Sequence, residues 1–216
     1  GVYPICECAS GETHTRNPGC GFYGEEDTEG NHHQTEGYTF YIDPIDGTTN
    51  FLYGYDHSCV SVGLAKDGVI IAGWVYNPFR NEMYCAERGK GAWLNGRRLK
   101  IADRGLDEGI AAFGCARYND ENTEYQFSIV KQLFLRSIAI RSGGSAALDL
   151  CRIASGANVA YFEVLLQPYD YAAASVIIEE AGGVIAPISL EDPCMVIAGA
   201  PKAVGELREI AERCRG

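Results

Sequence analysis

The sequence predicts an α/β (α+β) protein, and three observations predict it. Strand-like stretches over 57–75 and 82–99 carry Asp67-Gly68 and Asn95-Gly96, dipeptides that favour two-residue hairpin turns. From residue 119 onward, helical and strand-like spacings of apolar residues alternate, which calls for mixed sheets covered by helices. At 216 residues and 46% hydrophobic, the chain can bury a sizeable core.

The elements follow in order. Tyr38–Ile42 is β-branched and aromatic and reads as a strand, which Pro44 is expected to stop. His57 is expected to begin the next strand and pack there. Residues 119–136 predict a helix, 137–141 a short strand, 145–157 a helix and 158–165 a strand. A helix bearing Asp170 in its first turn ends at Gly182-Gly183, strands follow at 184–188 and 195–200, and a helix over 201–214 completes the chain. No repeat or low-complexity linker interrupts it, so one domain is expected over 1–216, with an N-terminal lobe over about 1–136 and a C-terminal lobe over about 137–216.

The formal charge of -11, with no compensating basic cluster, argues against nucleic-acid or anionic-membrane partners. No apolar run reaches the roughly 20 residues of a membrane span and no signal peptide is visible, so a cytoplasmic setting is expected. Nine cysteines, an odd number, with Cys59, Cys85, Cys115 and Cys151 in strand- or helix-like segments, read as reduced, buried thiols. Cys6, Cys8, His14 and Cys20 match no common zinc spacing and read as a loop, as does the polar stretch from Asp27 to Gly37 around His32-His33.

The chemistry concentrates at Asp43-Pro44-Ile45-Asp46-Gly47-Thr48-Thr49. Two carboxylates on one turn repel unless a cation lies between them, and hard oxygen donors suit Mg²⁺. Gly47 lets backbone N–H groups approach an anion, and the hydroxyls of Thr48 and Thr49 are positioned to cap a helix or hold water. Alone, this segment is equally a solvated turn. Glu25-Glu26 alone is an acidic surface loop, and Asp170 alone is a helix-dipole residue.

Together they form a pattern. Gly24-Glu25-Glu26, then Asp43 to Phe51, then Tyr169-Asp170-Tyr171-Ala172-Ala173 before Glu180-Ala181-Gly182-Gly183, resemble the inositol monophosphatase family in order and wording, with Tyr169 in place of the usual tryptophan. Gly73-Trp74-Val75-Tyr76-Asn77-Pro78, Gly89 to Gly96 and Ile140 to Ala147 extend the resemblance over about residues 22–214.

The resemblance implies a layered α-β-α-β-α sandwich and a lithium-sensitive, Mg²⁺-dependent phosphomonoesterase, expected as a homodimer. Glu25, Asp43 and the Ile45 carbonyl would hold one Mg²⁺, and Asp43, Asp46 and Asp170 a second. A third would rest on a T-x-x-D element that is not found in the 24 residues before Glu25, where the family's two leading helices are not expected from the sequence either. Catalytic roles fall to Glu25, Thr48, Asp43 and Asp46; Asp46, Gly47, Thr48, Gly144, Ser145, Ala146, Glu163 and Asp170 would line the substrate. Inositol monophosphate is the expected ester. Fructose 1,6-bisphosphate, adenosine 3′,5′-bisphosphate and NADP, and a catalytically silent homologue, are the alternatives.

Overall fold

A computed structural model describes residues 20–25, 37–115, 122–187 and 195–215. Two sheets carry it. The first contains β1 (Cys20–Gly24), β2 (Tyr38–Asp46), β3 (Cys59–Lys66), β4 (Val69–Asn77), β5 (Glu82–Glu87), β6 (Gly91–Leu94) and β7 (Arg97–Arg98), paired in chain order. Only β1–β2 is parallel; the rest is an antiparallel meander. The second contains β8 (Ile110–Phe113), β9 (Ala139–Arg141), β10 (Asn158–Val164), β11 (Val184–Pro187) and β12 (Met195–Gly199), in the order β11-β12-β10-β8-β9. The helices are α1 (Thr48–Leu52), α2 (Thr123–Arg136), α3 (Ala146–Ala154), α4 (Pro168–Glu180) and α5 (Pro201–Arg215).

Alternation along β10 and β12 explains the layering. Tyr161, Val196 and Ala198 face one core, shared with Leu148, Leu150 and Ile153 of α3, Val176 and Ile177 of α4, and Val75 and Tyr84 of the first sheet. Phe162, Met195 and Ile197 face the opposite core, against Ile129 and Leu133 of α2 and Leu207 and Ile210 of α5. Successive strand residues point to opposite faces, so one strand serves both cores. The order among the described residues is therefore sheet, α3–α4, sheet, α2–α5, four of the five expected layers. No helix among them is long and apolar enough to cross a membrane.

The hairpin signals hold. Asp67 and Gly68 take φ of 50° and 79°, and Asn95 and Gly96 take 48° and 79°, the left-handed pairs of a type I′ turn. Several expectations are corrected. Residues 82–99 form three strands, the extra turn running through Gly89. β2 does not stop at Pro44; the register shifts between Asp43 and Asp46 and the ladder resumes at Asp46–Cys59, because a bulge needs no donor from proline. β3 starts at Cys59, after His57. α3 ends at Ala154, three residues before Ala157, where Gly156 turns left-handed. Cys59 and Cys151 are buried as expected, but Cys115 is exposed beyond the end of β8. The chain passes from the first sheet to the second between Arg98 and Ile110, and β8 and α2 pack with the second sheet. β1, which the sequence pattern did not announce, pairs Phe22 with Phe40 across a wide sequence gap. Apart from Cys20, half-buried in β1, the N-terminal cysteine and histidine pattern lies outside the described residues, as do Glu26 and His32-His33.

α4 reaches the first sheet through glycine. Gly63 and Gly73 are directly paired across β3–β4 beneath Ala172 and Ala173. A Cβ on Gly73 would overlap the Ala173 carbonyl oxygen and lie 2.8 Å from its Cα, backbone that yields only if α4 lifts. Gly73→Ala is expected to lower stability by about 1–3 kcal/mol, read from urea midpoints; an unchanged midpoint would show that α4 tolerates the separation.

Candidate active site

The bulge in β2 turns Asp43 and Asp46 into the protein, leaving them 2% and 7% exposed. The Ile45 N–H donates to Asp43 Oδ1 at 3.0 Å. The Thr48 hydroxyl donates to the Ile45 carbonyl at 2.9 Å, so the oxygen expected as a metal ligand is already oriented by the next helix. Gly47 starts α1 at φ 84°, and a Cβ there would press within 3.0 Å of the His57 carbonyl and 3.1 Å of the Gly144 carbonyl. Only glycine serves that position without strain.

Asp46 is gripped by the start of α3. Ser145 is the N-cap; its hydroxyl donates to Asp46 Oδ2. The N–H groups of Ala146 and Ala147 donate to the same carboxylate at 3.3 and 2.9 Å. The Cys59 thiol donates to it at 3.5 Å. An anion at a helix start is favoured by the unpaired N–H groups and the dipole. Asn50 braces this turn, donating to the carbonyls of His57 and Gly143 at 2.8 Å each. Buried Asp149 accepts from Gly143 N–H at 3.0 Å, with His57 Nε2 3.5 Å from its other oxygen.

Asp170 comes from the first turn of α4, where its Oδ2 accepts from the Gln167 N–H at 2.6 Å. The link from β10 is tight enough to force Leu165 to a φ of 65°. One carboxylate oxygen from each of Asp43, Asp46 and Asp170 lies within 4.8 Å of the others. Burial, then the charges of Asp46, Glu25 and Asp170, push the Asp43 carboxyl up to about 8. Burial pushes Asp170 up to about 7, against the lowering effect of the Gln167 N–H. Asp46 is also raised by burial, offset in part by its Ser145 and Ala147 donors. None of the three forms an ion pair with a basic side chain among the described residues. Uncompensated, oxygen-only and convergent, this set fits a hard divalent cation.

Glu25 follows β1 at the exposed rim, its N–H donating to the Ile42 carbonyl at 3.4 Å, and its charge is felt by both Asp43 and Asp170. Glu163 is half-buried on β10, accepts a hydrogen bond from Tyr161, and is pushed up to about 7 by burial, with Asp170 and Asp46 adding to the rise. The structure thus gathers Asp43, Asp46 and Asp170, with Glu25 at the rim. Gly144, Ser145 and Ala146 form the turn behind Asp46, two of them bonded to it. Cys59, Asn50 and Tyr161 were missed because their partners are distant in sequence or lie outside the motif; only the Asn50 of the Asp43–Phe51 wording carried a signal.

The model of the inositol monophosphatase family matches residues 6–213. A protein named putative Nus factor SuhB from Neisseria meningitidis serogroup B is 36% identical over 178 residues, 80% of this chain and 68% of its own length. Inositol monophosphatase 2 of Saccharomyces cerevisiae is 39% identical over 179 residues, 78% of this chain and 61% of its own. Among solved structures, the inositol monophosphatase of Anabaena superposes with a TM-score of 0.84 at 29% identity, covering 93% of this chain and 81% of that one.

Proposed function

Because the chain belongs to the inositol monophosphatase family, we propose that it is a Mg²⁺-dependent phosphomonoesterase that hydrolyses inositol monophosphate, a single domain acting in the cytoplasm as a homodimer. The observation that carries this reading is the convergence of Asp43, Asp46 and Asp170 within 4.8 Å. Glu25, Asp43, the Ile45 carbonyl, Asp46 and Asp170 would hold two ions; a third has no identified ligand among the described residues. Bound there, Mg²⁺ supplies charge neutralisation for the ester, a water of lowered pKa and support for the departing alkoxide.

The chain's own groups do the rest. The α3 N-terminus and Cys59 fix the Asp46 carboxylate, so it needs no rearrangement to act. The Thr48 hydroxyl, held on the Ile45 carbonyl, and Glu25 at the rim orient the attacking water, and the Glu25 carboxylate takes its proton. The N–H groups of Gly47 and Thr48 receive the phosphate, while Gly144, Ser145, Ala146 and Glu163 border the organic part. Water attacks phosphorus in line and no phosphoenzyme forms.

Phosphate release from inositol 1-phosphate, fructose 1,6-bisphosphate, adenosine 3′,5′-bisphosphate and NADP, with and without Mg²⁺, tests the proposal. Metal-dependent release fastest on inositol 1-phosphate is expected; a faster bisphosphate would reassign the substrate. Millimolar lithium is expected to inhibit by occupying the second metal position, read in the same assay, and insensitivity would favour a bisphosphatase. The Nus factor names of relatives favour a second reading, a chain that keeps the carboxylates for binding alone; Mg²⁺ binding without turnover on any ester would select it.

A further inference from the structure

Glu163 does not stand free. Tyr161, two residues earlier on β10, is 0% exposed, its ring sunk in the core between the sheets, and its hydroxyl donates to Glu163 Oε2. A buried phenol needs a partner, and this carboxylate is the one it has. From the other side Glu163 rests on Gly114, the residue after β8. A Cβ at Gly114 would overlap Oε2 and Cδ and lie 2.5 Å from Oε1. Gly114 cannot retreat easily, since its N–H donates to the Phe162 carbonyl at 3.0 Å and the rings of Phe113 and Phe162 stack at 6.3 Å. The requirement for glycine here is space.

We propose that Tyr161 and Gly114 are positioning residues that select esters with a hydroxyl-bearing organic part, by seating the Glu163 carboxylate with Oε2 occupied and Oε1 turned to a substrate hydroxyl. The inference rests on the phosphatase reading for its substrate. Phosphate would be bound by the carboxylate and α1 side of the site, so the seat acts on the alcohol. Burial raises the Glu163 carboxyl and the Tyr161 hydrogen bond lowers it, so the bond favours the ionised, accepting form. A hydrogen bond to a charged group contributes about 1.5–3 kcal/mol, roughly tenfold or more in affinity.

The test compares inositol 1-phosphate with methyl phosphate, whose organic part has no hydroxyl. Tyr161→Phe is expected to lower the ratio of their kcat/KM values about tenfold, through KM for inositol 1-phosphate. Gly114→Ala, which evicts the carboxylate while keeping the tyrosine at 161, is expected to do the same. Added to Glu163→Gln, Tyr161→Phe is expected to change the ratio no further, since both act through one carboxylate. Equal losses on both esters, an unchanged ratio in both variants, or an additive loss in the Glu163→Gln background would overturn the proposal. Wild-type inactivity on both esters would count against the phosphatase reading instead. The seat is then read by calorimetric affinities in Ca²⁺, where the same fall in preference for inositol 1-phosphate supports it and an unchanged preference overturns it.

Discussion

Asp46→Asn is expected to lower kcat/KM about a thousandfold, because charge stabilisation worth several kcal/mol depends on this carboxylate and each ~1.4 kcal/mol is tenfold. Asp46 is buried, and its hydrogen-bond partners among the described residues are all donors: the Ser145 hydroxyl, the Ala146 and Ala147 N–H groups and the Cys59 thiol. An asparagine keeps one acceptor oxygen for the α3 cap but turns an NH₂ group toward the remaining donors. It also removes a buried charge that no basic side chain among the described residues balances. The fold is therefore expected to survive in EDTA, while the rise in melting temperature on adding Mg²⁺ shrinks. Phosphate release and melting curves on the same preparation check both halves. Near-normal turnover would mean that Asp46 is a helix cap and nothing more.

The second large effect is a reversal of pH dependence by metal. Asp43, Asp170 and Glu163 have carboxyls raised to about 8, about 7 and about 7 in the fold, from ordinary values of 3.8 for the aspartates and 4.5 for the glutamate. Over that span the folded state holds more protons than the unfolded one, so metal-free stability falls as pH rises. It is full below about pH 4, declines as pH passes through 7 and 8, and changes little beyond on account of these groups. Mg²⁺ needs the same carboxylates deprotonated, so its stabilisation grows as pH rises. At a hundredfold excess over its dissociation constant it would contribute about 2.7 kcal/mol. Urea midpoints at pH 5 and pH 9 are expected to fall with pH in EDTA, with the gap between Mg²⁺ and EDTA widest at pH 9. A flat EDTA series, or a gap that narrows with pH, would show that the carboxylates are not buried together as described.

What was legible in the sequence was what local rules encode. Asp67-Gly68 and Asn95-Gly96 require left-handed backbone that few other pairs supply, and both turn where expected. Asp43 and Asp46 sit close enough in sequence for their meeting to be inferred, and Asp170 follows from a helix start that is readable from Pro168 and the apolar spacing beyond it. The rest depends on partners far along the chain. Nothing local tells that Ser145 will cap α3 and also bind Asp46, 99 residues away. The parallel β1–β2 pairing spans an interval no turn rule governs. Pro44 was expected to end a strand because a ladder needs donors; the bulge removed that need, which propensity cannot foresee. Leu165 turns left-handed without glycine or asparagine to announce it, because β10 and α4 are fixed by packing on either side.

The proposed activity requires that Asp43, Asp46 and Asp170 form one divalent-cation site on which turnover depends. Titration of Mg²⁺ into metal-free protein at pH 8, followed by heat and by phosphate release from inositol 1-phosphate, tests it most directly. Saturable binding and turnover are expected to rise together and both to be lost in Asp170→Asn. Turnover persisting in EDTA, or Mg²⁺ binding indifferent to Asp170, would contradict it.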